Sequence, residues 1–229
     1  METITIIIPV KDEEEGLNYL LGDFNNSSLK EDYDIRFIFV IDSRTSDSSR
    51  KIASQFSENI IDQKDTTGKG AAILQAVNFW KKEPTQKTIF FDADGSYSFD
   101  SVRKVLEALE EGKDVVSGSR FIGKTGRPKG MSRLHNFGNR VLSLISSLRN
   151  RRKITDLCTG LWGFNSRALL QLDIRSQGFD LEAELAGLAR RKNLIHFETP
   201  VSWSQRKGGT SKLRSLRDGF IIFFRIIRT

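Results

Sequence analysis

The sequence predicts a single α/β domain built on a mostly parallel, mixed sheet that is covered by helices. Near-continuous runs of Ile, Val and Phe alternate with segments of helical periodicity, which is typical of strands buried on both faces. The chain has 229 residues, of which 38% are hydrophobic, enough to bury one sizeable core. It contains no internal repeat, and no flexible linker divides it.

The alternation assigns each element in order. The predicted strands cover 3–10, 35–42, 88–92, 114–117, 161–165 and 194–201. The predicted helices cover 13–21, 46–56, 69–82, 99–111, 134–148, 180–190 and 216–227. Two segments rich in glycine and basic residues, 121–132 and 205–215, are predicted as irregular loops.

The early strands end in polar residues that could meet a nucleotide. The first strand runs into Lys11-Asp12-Glu13, and the second into Asp42 and the residues up to Asp47. Further on, Gly68-Lys69-Gly70 opens an Ala-rich helix, where glycines allow close backbone approach and the helix amino end favours negative charge. Each segment alone is equally compatible with a helix cap or a turn, and Lys69 with a solvated lysine.

The third predicted strand ends in two carboxylates. Asp92-Ala93-Asp94 follows an apolar run and precedes a glycine turn. Side chains of a buried strand alternate between faces, so Asp92 and Asp94 are predicted on one side of its carboxyl end, where ligand crevices of open α/β sheets lie. Two hard oxygen donors there suit Mg²⁺ or Mn²⁺, although an ordinary polar turn after a strand has the same composition.

Several other classes of site are excluded by pattern. The Gly68 segment lacks the spacing of a Walker loop, and no Gly-x-Gly-x-x-Gly follows a strand. A single cysteine rules out an internal disulfide framework, and His135 and His196 lack zinc-like spacing. An apolar strand begins within three residues of Met1 without a basic n-region, so we expect neither a secretory signal nor a full membrane span.

Charge is divided unevenly along the chain. Residues 1–119 hold 14 Lys and Arg against 22 Asp and Glu, a balance of −8, whereas residues 120–229 hold 22 against 7, a balance of +15. This asymmetry indicates that the second half meets an anionic partner: phosphates, nucleic acid or a membrane surface.

Two segments of the second half favour contact with a membrane. In the helix 134–148, apolar residues recur at helical spacing and basic residues flank them: Leu134, Phe137, Val141, Leu144, Ile145 and Leu148, with Arg133, Arg140, Arg149, Arg151 and Arg152. The segment 220–227 is apolar nearly all round and too short to span a bilayer. A core-facing helix and a buried terminal helix are the alternatives.

The order of these motifs resembles the family 2 inverting glycosyltransferases of GT-A fold. Ile7 to Glu14 is similar to the family's opening motif, Ile41 to Asp47 to its nucleotide loop, and Asp92 to Tyr97 to its metal and diphosphate motif. The second half resembles the polyprenyl-phosphate group that contains dolichyl-phosphate mannose synthase, through the segments 116–121, 137–140, 155–160 and 206–213. Lys11, Asp12, Ser43 and the insert 157–159 depart from the pattern, which obscures the base and the sugar.

The resemblance implies a catalytic domain over 1–219 and an apolar helix over 220–229, where some members continue into transmembrane helices. It implies inverting transfer of a sugar from a UDP-sugar or GDP-mannose to a polyprenyl or dolichyl phosphate, with Mg²⁺ or Mn²⁺ on Asp94 together with Asp92 or Ser96. The implied donor site consists of Pro9, Val10, Lys11, Glu13, Asp42, Lys69, Asp92, Ala93, Asp94, Lys207 and Lys212.

On the acceptor side, the resemblance implies that Arg120 and Arg133 hold the lipid phosphate. Asp156, Arg120 and Arg206 are then the catalytic candidates, Asp156 as a base or an acceptor-side carboxylate, with the cap of a turn as its alternative. The basic loop around Arg206 is expected to close over the donor. The protein is expected at the cytoplasmic face of a membrane, in peripheral contact.

Three other functions fit parts of the sequence. A family 2 transferase with a soluble or polysaccharide acceptor would keep the donor motifs and lose the lipid interpretation. A nucleic-acid-binding module would use only the basic half and lacks a recognised motif, so no nucleic-acid partner is expected. A silent nucleotide-sugar sensor would leave the acidic and basic motifs without a reaction.

Overall fold

The computed structural model describes residues 1–64, 66–124, 126–210 and 215–229, which form one α/β unit around a single sheet. The strands of the described residues are β1 Glu2–Val10, β2 Tyr33–Asp42, β3 Ile60–Gln63, β4 Lys87–Phe91, β5 Val115–Ser119, β6 Leu161–Asn165 and β7 His196–Pro200. The helices are α1 Glu14–Asn26, α2 Leu29–Asp32, α3 Ser49–Phe56, α4 Lys69–Trp80, α5 Phe99–Glu110, α6 Arg133–Asn150, α7 Ser166–Gln171, α8 Leu181–Arg191 and α9 Ser215–Arg228.

The sheet is mostly parallel, as the sequence predicts. Its seven strands have the order β3-β2-β1-β4-β6-β5-β7. Every neighbouring pair is parallel except the two pairs that β6 makes with β4 and β5, which are antiparallel. From β1 the chain adds β2 on one side and β4 on the other, so a crevice opens at the carboxyl ends of β1 and β4.

Each face of the sheet buries its own apolar cluster. One cluster joins the sheet to α4, α8 and α9 through residues such as Ile73, Leu185 and Ile222. The other joins it to α1, α3 and α5, with Leu17 and Val102 among its members. This two-sided burial explains the continuous apolar runs 6–10 of β1 and 37–41 of β2.

The predicted elements are all present, and three short ones were missed. β3 has only four residues, two of them polar, and lies at the sheet edge, so its composition gives no strand signal. α2 and α7 span four and six residues, which is too short for helical periodicity to emerge. The predicted helix 46–56 begins only at Ser49, because Asp42 to Ser48 form a polar loop.

The helices α6 and α9 pack against each other and expose apolar side chains. α9 begins at Ser215, inside the segment predicted as catalytic domain, and buries Ile222 and Ile226 in the core. The alternative prediction of a buried terminal helix therefore holds for one face of α9. Phe220 and Phe224 are exposed on the other face. Within the described ranges, no helix has both the length and the hydropathy needed to cross a bilayer.

Candidate active site

The two carboxylates after β4 have different surroundings. β4 ends at Phe91, so Asp92 and Asp94 lie in the turn beyond it, and the prediction that strand alternation aligns them was wrong. Asp92 packs on Gly160, where an added Cβ would collide with the carboxylate. Its Oδ1 lies 2.6 Å from the Nζ atom of Lys69, which is also 2.7 Å from Oε1 of Glu182 on α8.

Lys69 is therefore a buried bridge between two carboxylates. Its side chain is 15% exposed, so the alternative of a solvated lysine is wrong. Burial alone would lower the pKa of its ammonium, but the attraction of Asp92 and Glu182 raises it well above the ordinary value. Burial raises the pKa of both Asp92 and Glu182, and Lys69 opposes that rise. One cation thus balances two acids.

Asp94 faces the basic loop 205–210. Its Oδ1 accepts a hydrogen bond from the backbone N–H of Ser96 at 3.0 Å, and its carbonyl accepts one from Lys207 N–H at 2.9 Å. Nη1 of Arg206 lies 3.9 Å from Oδ2 of Asp94, while Nη2 donates to both carboxylate oxygens of Glu13 at 2.6 and 2.7 Å. Arg206 thus ties the loop to the end of β1 and to the turn after β4.

Two lysines of the basic loop were predicted in the donor site. Nζ of Lys207 lies 4.2 Å above the ring of Tyr19, which holds the exposed lysine beside Gly95. Lys212 lies outside the described residues.

The acidic pair can hold a divalent ion only with help from a ligand. No group of three or more His, Cys, Asp or Glu that could hold a metal occurs within the part of the chain that the structure describes. Mg²⁺ is commonly bound by one or two carboxylates together with substrate phosphates. Among the described residues, the cation nearest to Oδ2 of Asp94 is Arg206, whose Nη1 atom lies 3.9 Å away. The residues therefore fit an ion that is completed by diphosphate oxygens. Ser96 is buried and orients Asp94 through its backbone.

The loops after β1 and β2 are tied together. Ser46 N–H donates to Oδ1 of Asp12 at 2.8 Å, and Glu14 N–H donates to Oδ2 of Asp47 at 3.0 Å. Pro9 and Val10 end β1 beside this junction and Lys11 follows them, while Ala93 is buried next to Asp92.

The buried carboxylate of Asp42 is closed by its own neighbour. Nε and Nη2 of Arg44 donate to Asp42 Oδ1 and Oδ2 at 2.8 and 2.6 Å. These bonds, assisted by the charges of Arg44 and Lys11, hold the pKa of Asp42 below its ordinary value against the opposing effect of burial. A ligand that binds Asp42 must displace Arg44, whose side chain is half exposed.

Arg120 and Asp156 form the second centre of the site. Oδ2 of Asp156 accepts from the backbone N–H and Nε of Arg120 at 2.9 and 2.6 Å, and Oδ1 accepts from Arg120 Nη2 and from Asn139 at 2.7 Å each. The Asp156 side chain is 0% exposed. The attraction of Asp156 raises the pKa of Arg120, although burial opposes it. Asp156 thus holds Arg120 rather than capping a turn.

The two centres meet through Tyr97. Its hydroxyl lies 3.1 Å from Thr159 Oγ1 and accepts from Gly160 N–H at 3.2 Å, and burial raises the pKa of the phenol to about 12. Tyr97 follows the Asp92 motif, and Gly160 packs on Asp92 itself. Asp92, Asp94, Arg206, Arg120 and Asp156 therefore belong to one site.

Arg133 is the exposed first residue of α6.

Sequence reasoning missed Arg44, Asn139, Glu182 and Glu198. Glu198 accepts from the N–H groups of Thr155 and Asp156 and thereby positions the Asp156 loop. A signal existed for Glu182, because it and Glu184 are the two acidic residues of the otherwise apolar stretch 181–189, and such residues are expected to be paired.

A mostly parallel sheet with one reversed inner strand, and a carboxylate pair at its switch point faced by a basic loop, define a GT-A glycosyltransferase domain. The chain belongs to glycosyl transferase family 2, which it matches over residues 5–172. It is a glycosyltransferase.

Three relatives match nearly the whole chain. Glycosyltransferase AglJ of Haloferax volcanii is 27% identical over 99% of this chain and 72% of its own length. Polyprenol monophosphomannose synthase of Mycolicibacterium smegmatis is 23% identical over 91% of this chain and 80% of its own. UDP-N-acetylglucosamine–dolichyl-phosphate N-acetylglucosaminyltransferase of Methanococcus voltae is 25% identical over 98% and 94%.

A similar solved structure supports the fold. Glucosyl-3-phosphoglycerate synthase of Mycobacterium tuberculosis, in complex with Mn²⁺, uridine-diphosphate-glucose and phosphoglyceric acid, superposes with a TM-score of 0.73 at 15% identity, covering 99% of this chain and 79% of that one. The same enzyme with Mg²⁺ and uridine diphosphate gives a TM-score of 0.71 at 15% identity, covering 99% and 77%.

Proposed function

We propose that the protein transfers a sugar, with inversion, from a nucleotide-diphosphate sugar to a polyprenyl or dolichyl phosphate at a membrane surface. The observation that carries the lipid acceptor is the apolar face that α6 and α9 expose beside the site. It is formed by Leu134, Phe137, Val141, Leu144 and Leu148 of α6, and by Leu216, Phe220, Ile221, Phe224 and Ile227 of α9. Such a face suits an interfacial position, and the names of several relatives specify the same acceptor class.

The donor side supports the binding of a diphosphate. The sugar's anomeric carbon loses its bond to the diphosphate oxygen and gains one to the acceptor's phosphate oxygen from the opposite face. A Mg²⁺ or Mn²⁺ ion held by Asp94, with Asp92 next to it, would neutralise charge on the leaving diphosphate. Arg206 and Lys207 add positive charge on the same side, because their loop is bonded to Asp94.

The acceptor phosphate needs to be positioned more than it needs to lose a proton. A lipid phosphate is already anionic, so its attacking oxygen needs little deprotonation. Four donated hydrogen bonds occupy the Asp156 carboxylate, which supports a role in orienting Arg120 rather than in accepting a proton. Arg120, over the Trp203 ring at 5.8 Å, is then the group that meets the acceptor phosphate, and Arg133 would assist from α6.

Transfer can be tested directly with detergent-dispersed polyprenyl phosphate, Mn²⁺ and a panel of labelled UDP-glucose, UDP-N-acetylglucosamine and GDP-mannose. The expected product is a chloroform-soluble sugar phosphate lipid formed from one donor, with inverted configuration by NMR. Asp94→Ala serves as the inactive control. Transfer to phosphoglycerate or to a free sugar, with none to the lipid, would overturn the proposed acceptor and leave the glycosyltransferase standing.

A further inference from the structure

A cavity of about 560 Å³ lies between the second half of α6 and the segment 151–155. Four cationic side chains and two leucines contribute to its lining: Arg140, Arg151, Arg152, Lys153, Leu144 and Leu148. No Asp or Glu is among its described lining residues. Glu198 lies behind the inner wall, where it accepts from the N–H and hydroxyl groups of Thr155 at 2.7 and 2.9 Å. The cavity is therefore positive and half apolar.

No carboxylate among the described residues forms an ion pair with Arg152. Its Nη1 and Nη2 atoms donate to the backbone carbonyls of His196 and Leu194 at 3.0 and 3.3 Å. Burial lowers the pKa of this half-buried guanidinium. Burial, assisted by the charge of Arg152, also lowers the pKa of His196 to about 3. Because partly buried cations normally find an anion, this site favours a negatively charged ligand.

The ligand must also have an apolar part. Leu144 and Leu148 are 61% and 73% exposed and belong to the apolar face of α6. Leu148 is 15 residues from Arg133, about 22 Å along the helix, so the end of the cavity at Leu148, Arg151 and Lys153 lies away from the phosphate site predicted at the start of α6.

We infer that this cavity binds the headgroup phosphate of an anionic phospholipid, with Arg151, Arg152 and Lys153 on the phosphate and Leu144 and Leu148 against the acyl chains. The lipid is a membrane component rather than the sugar acceptor. The inference deepens the proposed function and rests on its membrane-facing α6. Bound there, the lipid would fix the depth and rotation of α6 at the interface.

Binding can be measured with short-chain phosphatidylglycerol below its micelle concentration, because monomers create no surface potential. Isothermal titration is expected to give one saturable site per chain. Arg151→Asn, which suits the left-handed backbone at φ 51°, and Lys153→Ala should each weaken it about tenfold, as for loss of one charged hydrogen bond. Arg149→Ala is the matched control, since it removes the same charge from the same helix end outside the cavity, and it should change affinity less than twofold.

Three outcomes would overturn the inference. These are equal binding of short-chain phosphatidylcholine, an equal loss in Arg149→Ala, or glycerol phosphate binding as tightly as the lipid, which would indicate a site for soluble phosphates. Thermal unfolding of each variant checks its fold. Transfer to polyprenyl phosphate in detergent is assayed separately, so a chain that binds phosphatidylglycerol without any transfer would contradict the proposed function and leave this site intact.

Discussion

At the scale of single residues, the site depends on a lysine that lies between a buried carboxylate and a partly exposed one. Lys69 contacts Asp92 of the acidic motif and Glu182 of α8. The motif itself was recognisable from sequence because Asp92, Ala93 and Asp94 are neighbours. Its pairing with Glu182 was not, since only the folded sheet brings residues 69, 92 and 182 together. The pairing of Arg44 with Asp42 was missed for another reason, because neighbouring opposite charges are common in exposed loops.

Lys69→Met should destabilise the fold by about 3–5 kcal/mol at pH 7, because it leaves the buried Glu182 and the partly exposed Asp92 unpaired. Burial raises the pKa values of Asp92 and Glu182, so both carboxylates bind protons more readily in the folded protein than in the unfolded chain. The stability they contribute is present at low pH and is lost as pH rises through the folded pKa. The deficit should therefore shrink when unfolding is measured at pH 5.

The matched control for this variant is Lys87→Met. Lys87 also contacts two carboxylates, Glu2 and Glu110, but Glu110 is 46% exposed and both lie away from the site. A smaller loss with unchanged transfer is expected there. An equal loss at both lysines, independent of pH, would contradict the argument.

Asp94→Ala should lower transfer at least about hundredfold, because no other acid replaces its contact with the diphosphate-bound ion. The side chain is partly exposed, so the melting temperature should hardly change. Removing metal with EDTA should have the same effect on wild type, with recovery on adding Mn²⁺. Full activity in excess EDTA would refute the assignment of an ion to Asp94.

Asp156→Asn should lower turnover about tenfold or more while donor affinity stays within twofold, because it removes the anion that orients Arg120. Asp173→Asn, which disrupts an exposed pair with Arg175, is the control and should have almost no effect. A weakened donor affinity with normal turnover would instead assign Asp156 to the donor side.

At the scale of elements, hydropathy predicted most of the fold. Strands such as β1 and β2 are continuous apolar runs, and long helices have clear periodicity, so both were found within a few residues. Sequence alone could not decide whether the apolar stripe of α6 packs on the core or faces a membrane, because a residue pattern does not show what the helix packs against. In the structure, Leu134, Phe137 and Leu148 are exposed, whereas Ile145 packs on the core.

Phe137→Ser should reduce binding to anionic vesicles several-fold, because the 67% exposed ring supplies apolar area for the interface. Stability should stay within about 0.5 kcal/mol, as for other surface changes. Leu170→Ser on α7 removes a similarly exposed residue away from the α6 and α9 face and serves as control. Co-sedimentation at raised salt isolates the apolar contribution, since salt screens the charges. Equal losses in both variants would count against this face.

At the scale of the whole molecule, the acidic and basic halves meet at one edge of the sheet. The balance is −8 before Arg120 and +15 after it, which matches the proposed division between a donor side and an acceptor side. Sequence predicted the class of the fold. It did not predict the donor, because the departures at Lys11 and Ser43 leave the base open.

Thermal shift should identify that donor. A nucleotide sugar at 100 times its dissociation constant should add about 2.7 kcal/mol, or roughly 5–10 °C for a domain of this size. The shift should need Mn²⁺ and vanish in Asp94→Ala. An equal shift from every nucleotide sugar, with or without metal, would argue against a specific donor site.

The reversed strand β6 has a consequence for synthesis. It lies between β4 and β5 although both precede it in the chain, so their inner edges wait unpaired until the ribosome has released Leu161–Asn165. Unpaired strand edges recruit other chains, which makes nascent or shortened forms prone to aggregate. Any fragment that stops before Leu161 therefore lacks the strand that joins β4 to β5. The first half of the chain cannot complete its sheet until β6 has been synthesised.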